Sequence, residues 1–600
     1  MEDNKKYLLR RRTIIYLLMF IPCIIILGWI LYVQIHYHDS AKQEYERNYN
    51  KKEILPAKRG NIYSLDSEND DFLIFATDIL RYEIRLDLGN NLDKKWDSIF
   101  RTNVVALSDS LSRLLPDKTK KQYLKELQQA RKEKRYNVLI AKEVTPAQIA
   151  RMKTFPFFNR CWNLPSITKR EYYKRFYPYN DLGKMARRTI GIWQSEISLY
   201  DGIAGKYDSL LLRPAESIST KKVAASLIDR QIINKEPCDI ITTIDVSLQE
   251  LADYSLEKCL IENNAKSGCV ILMEVSTGHI KAISNLEYDS ITGQYRELRN
   301  IALIDRMESG STFKTVTSML MLDKGLAQIT DTVPKGSMFF PKTKKTIEDD
   351  NAKNGRFTFS EALEYSSNVG ISYLVYENYV KKGKQKQFID DIKQYFRFDS
   401  ILGLDFQFIF KKNNKPYIGT EPLPSITARS SSVDDVLRLS YGYVSLITPM
   451  QMLTFYNAIA NNGVMVKPMF VSHILKNNNG EIDTIKLKTN ILREKICNDK
   501  TIETLQSVLK RVVEHGTAKL SRTTYGVAGK TGTAEINRDK SRNRASFVGY
   551  FPADKPLYSC IVIISEAQLG KQHGGELAAP TFKTLADRAM ARKSIKLKNK

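Results

Sequence analysis

The chain is short of the residues that usually announce a metal or redox centre. Its six histidines form no HExxH or similar cluster, and its seven cysteines show no CxxC spacing. No metal and no other cofactor is therefore expected. The cysteines are scattered at Cys23, Cys161, Cys238, Cys259, Cys269, Cys497 and Cys560. Cys269 and Cys560 fall inside apolar, strand-like runs, so buried thiols are expected there. An exported location permits disulfides, but the spacing specifies no pairing. Internal repeats are absent, and so is a second apolar run of membrane-spanning length. With 42% apolar and 26% charged residues the chain is neither fibrous nor wholly disordered. Its 600 residues exceed what one core organises, so two or three domains are expected.

Acidic residues are also in short supply. There are 67 Asp and Glu against 92 Lys and Arg, a formal charge of +25. Such a surplus suits an anionic membrane surface or an anionic lipid-linked substrate, or is plain solvated lysine. The one long apolar run is Thr13 to Val33, TIIYLLMFIPCIIILGWILYV, which carries no charge. About 20 such residues span a bilayer core, and Pro22 and Gly28 are tolerated in a membrane helix. Lys5, Lys6, Arg10, Arg11 and Arg12 precede it, which places the N-terminus in the cytoplasm. No small-x-small cleavage site follows, so a membrane anchor is favoured over a cleaved signal peptide. The bulk is then expected outside the cytoplasmic (inner) membrane, on its periplasmic side, where nucleic acid is not a partner.

Beyond the run, Ser40–Arg47 reads as a polar helical stalk. Strand-like stretches follow at Arg59–Tyr63, Phe72–Thr77 and Tyr82–Asp87, the last alternating apolar and polar residues. Residues 118–136 are lysine-rich and helix-prone. This region reads as a separate, elongated module ending near Asn234-Lys235-Glu236-Pro237. From Ile240 the pattern changes. A helix at Leu248–Leu256 precedes a hairpin of two strands, Gly268–Val275 and Ile280–Ser284, joined at Ser276-Thr277-Gly278-His279. A largely helical middle is expected from Ser311 to about Asn461. Strands return at Gly526–Thr533, Ala545–Phe551 and Tyr558–Ile564, with a last helix near Pro580. This order predicts an α/β class domain, one antiparallel sheet packed against helices. A basic tail, Arg592–Lys600, closes the chain.

Three short motifs carry chemistry. Ser311-Thr312-Phe313-Lys314, at a predicted helix start, puts a hydroxyl and an amine on one face. A serine is a poor nucleophile until a base takes its proton, and a lysine serves as that base only with a lowered pKa. Desolvation or a neighbouring positive charge lowers it, and Lys530 is a candidate for that charge. Ser366-Ser367-Asn368 offers a hydroxyl for proton relay and an amide to hold a peptide bond. Lys530-Thr531-Gly532-Thr533 sits on a predicted strand, where Lys530 and Thr531 can bind a carboxylate and Gly532 lets a substrate backbone approach. The backbone N–H groups of Ser311 and Thr533 can form an oxyanion hole. Each motif alone is weak; their order and local context together are specific.

The trio resembles that of class A β-lactamases and penicillin-binding proteins. With the flanking signatures, the chain is similar to a class B penicillin-binding protein, a monofunctional peptidoglycan D,D-transpeptidase. The resemblance rests on Arg59-Gly60-Asn61-Ile62-Tyr63, Arg188-Thr189-Ile190-Gly191, Gly202–Asp208, Thr243-Ile244-Asp245, Ser276-Thr277-Gly278, Gly516-Thr517-Ala518 and Ala528–Ala534. It implies a penicillin-binding transpeptidase fold behind an elongated α+β pedestal and one transmembrane helix. The implied division is a cytoplasmic tail 1–12, membrane helix 13–33, pedestal 34–239, transpeptidase domain 240–591 and tail 592–600. It also implies roles. Ser311 is acylated and Lys314 is its base, Ser366 relays a proton, Asn368 orients substrate, Lys530 and Thr531 hold the terminal carboxylate, and Gly532 and Thr533 complete the substrate-binding strand. Implied partners are peptidoglycan stem peptides, nascent glycan strands, a membrane glycosyltransferase, division proteins, and β-lactams as inhibitors. The division-specific subfamily is favoured over an elongation-type enzyme. A D,D-carboxypeptidase or a membrane-bound β-lactam sensor would share the trio. The chain departs from the family at Ser309, where proline is usual, and at Ala204, where glutamate is common.

Overall fold

A computed structural model describes residues 2–66, 71–89, 94–162, 166–179, 184–224, 227–229, 236–350, 353–413, 415–478, 481–536, 539–568 and 572–598. One helix, Glu2–Tyr49, contains the whole apolar run and continues through the expected stalk. Its apolar portion, Leu9–Ile35, is 27 residues long, about 40 Å, enough to cross a bilayer. The expected boundary at Asn234-Lys235 lies outside the described residues, as do the side chains of the basic tail.

The chain divides into two compact units. The first comprises residues 1–58, 80–173 and 213–235. Its core is made where helices Lys94–Leu114 and Lys120–Lys132 pack with the strand Val138–Val144. Phe100, Leu107, Leu111, Tyr123, Leu127, Phe157, Phe158 and Trp162 fill it. Thr119 and Gln122 form a capping box that starts the second helix, and Thr145 with Gln148 repeats the device at Pro146–Met152.

The second unit comprises residues 59–79, 174–212 and 236–600. Two of the sequence signatures meet in its N-terminal part. Arg59 pairs with Asp208, lies 4.2 Å from the Tyr200 ring centroid, and donates to the Ala204 carbonyl at 3.0 Å. At the unusual Ala204 the contact is therefore made by backbone, not by a side chain.

The centre of this unit is a six-stranded antiparallel sheet. Its strands are β1 (Ser267–Glu274), β2 (Ile280–Asp289), β3 (Gln294–Arg296), β4 (Ala528–Ile536), β5 (Asp539–Phe551) and β6 (Tyr558–Ser565). Their order is β3-β2-β1-β6-β5-β4, which leaves β4 as an edge. The continuous apolar runs of β1 and β6 have a simple cause: both faces of the sheet are covered. Val270 and Leu272 face one core, built with helices α1 (Val246–Glu262) and the terminal α7 (Ala578–Lys598). Cys269, Ile271 and Met273 face the other. That second core holds α2 (Lys314–Asp323), α3 (Asn368–Val375), α4 (Val433–Ser440), α5 (Pro449–Ala460) and α6 (Asp499–Glu514). All seven cysteines are free, and all but Cys23 are buried.

Two expectations of secondary structure need correction. The stretch 311–461 is not uniformly helical. It carries small hairpins, Thr332–Lys335 with Gly355–Thr358, Ser337–Phe340 with Lys345–Glu348, and Phe408–Lys412 with Lys415–Gly419. Ser311 does not begin an α-helix either. It lies in a 3₁₀ turn, Gly310–Phe313, and α2 starts at Lys314.

Candidate active site

The Ser311 turn is wedged between backbones. Gly310 has φ +54°, and a Cβ there would lie 2.5 Å from the Thr533 carbonyl of β4. On its other side Gly442, with φ +95°, accepts from the Gly310 N–H at 3.2 Å; a Cβ on Gly442 would lie 2.0 Å from the Gly310 oxygen. Only glycine satisfies both the positive φ and the space. Tyr456, fully buried on α5, donates to the Thr312 carbonyl at 2.8 Å and shares a 2.7 Å hydrogen bond with Thr315. Ser309 has φ −85° and accepts from the Thr312 hydroxyl at 2.8 Å, a turn a proline could also make. The half-buried Ser311 is thus held by groups that do not depend on its own side chain.

Lys314 is fully buried on the first turn of α2. Its Nζ donates to the Ser366 hydroxyl at 3.1 Å and to the Ser366 carbonyl. Burial brings its pKa down to about 7, against the opposing pull of the Asp349 and Asp350 carboxylates. Of the two expected causes, desolvation is the one that lowers Lys314. Lys530 is itself fully buried and donates to the Thr531 carbonyl at 3.1 Å. Burial first, and Lys314 second, push it well below the usual lysine range. For both buried lysines desolvation is the leading cause, and it favours the neutral amine, the form that can accept a proton.

The second motif is shaped by a residue the sequence reading missed. Ser366 has φ +61°, a strained position for a residue other than glycine. The next residues are held by Asp349. Its carboxylate accepts from the Ser367 hydroxyl at 2.7 Å, the Val369 N–H at 2.9 Å and the Gly336 N–H at 3.0 Å. Ser367 caps α3, accepting from the Gly370 N–H at 2.8 Å, and Asn368 donates to the Glu348 carbonyl at 3.2 Å. The only sequence signal for Asp349 is its place in the acidic stretch Glu348-Asp349-Asp350, which reads as solvated charge.

On β4 the third motif runs beside the Ser311 turn. The Thr531 hydroxyl is 2.6 Å from that of Thr517, which joins two of the sequence signatures. Gly532 does not leave open space for a substrate as expected. A Cβ there would lie 2.4 Å from the Ser546 hydroxyl and 2.9 Å from Thr312 Cγ2, so the glycine serves packing of the strand against the turn. The Thr533 hydroxyl accepts from the Gly574 N–H at 3.4 Å. Beside the turn lies a small cavity of about 20 Å³ that Ser309, Thr312, Met452, Ala534 and Ser546 help to line. All three motifs are therefore brought to one side of the edge strand. A serine, a buried amine, a second hydroxyl and the N–H groups of an edge strand suit acyl transfer through a covalent intermediate. Among the described residues no cluster of three or more metal-ligating side chains occurs.

Comparison with known proteins agrees with this geometry. The penicillin binding protein transpeptidase domain family matches residues 268–587, and the penicillin-binding protein dimerisation domain family matches residues 54–209. The peptidoglycan D,D-transpeptidase FtsI of Buchnera aphidicola subsp. Baizongia pistaciae is 29% identical over 450 residues, covering 72% of this chain and 73% of the relative. The Escherichia coli protein of the same name is 25% identical over 463 residues, covering 74% and 70%. Penicillin binding protein 2X from Streptococcus thermophilus superposes with a TM-score of 0.67 at 19% identity, over 90% of this chain and 80% of that one.

Proposed function

The chain belongs to the penicillin-binding protein transpeptidase family, and from that premise we propose that it is a membrane-anchored peptidoglycan D,D-transpeptidase of the division type. Lys314 takes the Ser311 proton, and the Ser311 oxygen attacks the D-Ala-D-Ala peptide bond. The N–H groups of Ser311 and Thr533 receive the developing oxyanion. The Ser366 hydroxyl, hydrogen-bonded to Lys314, passes a proton to the leaving D-alanine amine. Asn368 orients the peptide, and Lys530 and Thr531 seat its terminal carboxylate. An amine of a neighbouring stem peptide then takes the acyl group, which forms the cross-link and frees Ser311. β-Lactams acylate the same serine.

The observation that carries this reading is the 3.1 Å contact of Lys314 Nζ with Ser366 Oγ beside the Ser311 turn. The domain division proposed is the one the resemblance implies, with residues 1–12 cytoplasmic, 34–239 as pedestal and 240–591 catalytic. The apolar helix and Arg10, Arg11 and Arg12 support that orientation. A membrane glycosyltransferase and other division proteins are the expected partners.

Labelling with a fluorescent penicillin tests the reading. Wild type is expected to form a stable adduct and Ser311→Ala none. An unlabelled wild type would sink the enzymatic reading. With a D-Ala-D-Ala peptide and an added amine, transfer is expected to exceed hydrolysis; hydrolysis alone would make the protein a carboxypeptidase.

A further inference from the structure

Glu364 and Arg511 lie outside the three motifs, yet each leads into a segment of the site. Glu364 ends the short helix Phe359–Glu364, two residues before Ser366, and is 2% exposed. Its Oε1 accepts from the Ser360 hydroxyl at 2.7 Å and from Nε of Arg511 at 2.8 Å. Arg511 sits in the last turn of α6 with its side chain 45% exposed. Glu361, also within the field of Arg511, is committed to its capping box with Thr358. An ion pair with a buried member adds little net stability, because desolvation cancels most of the attraction. What it does is fix geometry.

From Glu364 the chain enters the second motif. The Ser366 and Ser367 N–H groups donate back to the Leu363 and Ala362 carbonyls at 3.3 and 2.7 Å, so the motif hangs from the helix that carries Glu364. From Arg511 the chain enters Gly516-Thr517-Ala518. The Arg511 carbonyl accepts from the His515 and Gly516 N–H groups at 2.8 and 3.2 Å, which turns the chain out of α6. The Thr517 N–H then donates to the Glu364 carbonyl at 3.4 Å, and the Thr517 hydroxyl is 2.6 Å from that of Thr531. A Cβ on Gly516 would lie 2.3 Å from the same Glu364 oxygen, so the two segments meet backbone to backbone. Arg511, Glu364 and Thr517 thus close a loop that joins the second motif to β4.

We propose that Glu364 and Arg511 are positioning residues for acyl transfer, their ion pair setting the span between the Ser366 and Thr531 hydroxyls. This rests on the transpeptidase reading above. Ser366 passes a proton to the amine of the leaving D-alanine, while Thr531 holds the carboxylate of that same residue. The amine and the carboxylate share one Cα, so their spacing is fixed by covalent geometry. Two hydroxyls on separate segments serve them together only if the protein holds the segments at the matching span. A misplacement of about 1 Å costs up to about a hundredfold in rate.

The test uses the full chain in detergent micelles, D-alanine release from a D-Ala-D-Ala peptide, and fluorescent penicillin as a label. Glu364→Gln removes the ion pair without leaving a buried charge. It is expected to lower kcat/KM by about tenfold, with kcat falling and KM rising together. Arg511→Gln, at a half-exposed position, is expected to do the same, and Arg511→Lys to recover most of the loss. The double variant Glu364→Gln/Arg511→Gln is expected to lose no more than either single one, as residues acting as a unit do. In a Thr517→Val background Arg511→Gln is expected to lower kcat but no longer to raise KM, because the link to Thr531 is already cut. Losses that add in the double variant, or no recovery with lysine, overturn the proposal. Wild type that is labelled by penicillin, with variants that melt lower yet keep its kcat and KM, makes the pair merely structural and overturns its role alone. No label and no D-alanine release from wild type overturns the transpeptidase reading and the pair's role with it.

Discussion

Lys314 Nζ stands 3.1 Å from Ser366 Oγ, with both side chains reached from segments whose backbone is fixed by other residues. The amine is buried and the hydroxyl is on a strained backbone, so each depends on its surroundings for its chemistry.

The Lys314 pKa of about 7 makes acylation pH-dependent. In the proposed mechanism the neutral amine is the base, so the rate of penicillin acylation is expected to rise with pH through about 7 and level off above it. Stopped-flow acylation between pH 5.5 and 9 checks this; a flat profile would remove Lys314 as the base.

The same shift affects stability. The folded state releases the Lys314 proton at about 7, whereas the unfolded chain keeps it until the usual lysine range. Between those values the unfolded state binds more protons, so stability rises with pH at this site, by an amount on the order of 5 kcal/mol. Lys314→Met is expected to raise the melting temperature at pH 6.5, to flatten its pH dependence above 7, and to abolish penicillin labelling. Calorimetry across pH reads the first two effects.

Asp349→Asn replaces a carboxylate that accepts three hydrogen bonds with an amide that accepts fewer. Losing one charge-assisted bond costs about 1.5–3 kcal/mol. Penicillin acylation is expected to slow by about tenfold to a hundredfold while far-UV circular dichroism stays native. Unchanged acylation would show that Ser366 needs no such support.

Asp253 on α1 and Glu297 are buried carboxylates near each other. Desolvation is the leading cause of a raised pKa in both, with Asp253 adding to the effect on Glu297. A raised carboxylate pKa means that the folded state holds its proton longer than the unfolded one. Stability from this pair is then present at acid pH and is lost as pH rises through the folded values. Because Glu297 accepts from the Arg188 N–H at 2.9 Å, alkaline loosening is expected first around residues 185–190. Hydrogen exchange at pH 6 and pH 9 tests it, with Asp253→Asn expected to reduce the difference.

The three motifs were legible in the sequence because each is local, a few neighbouring residues on one turn or strand. The two-sided burial of β1 and β6 was legible as unbroken apolar runs. Asp349 was not legible, since its partners Ser367 and Val369 lie 18 and 20 residues away. Nor were the hairpins at 332–358, whose four-residue strands are too short to show alternation. The 3₁₀ turn at Ser311 is set by Gly442 and Thr533, both distant in the chain, so local helix signals misplaced the start of α2.

The backbone crossing of Gly310 with Gly442 and Thr533 also bears on how this protein can acquire drug resistance. A β-lactam and the natural peptide must use the same turn, and any Cβ at Gly310 or Gly442 meets a carbonyl oxygen. Evolution therefore has little freedom to blunt the drug by moving the nucleophile. On the proposed mechanism, escape falls to side chains around the turn, such as Asn368, where discrimination between antibiotic and substrate can change while the turn stays fixed.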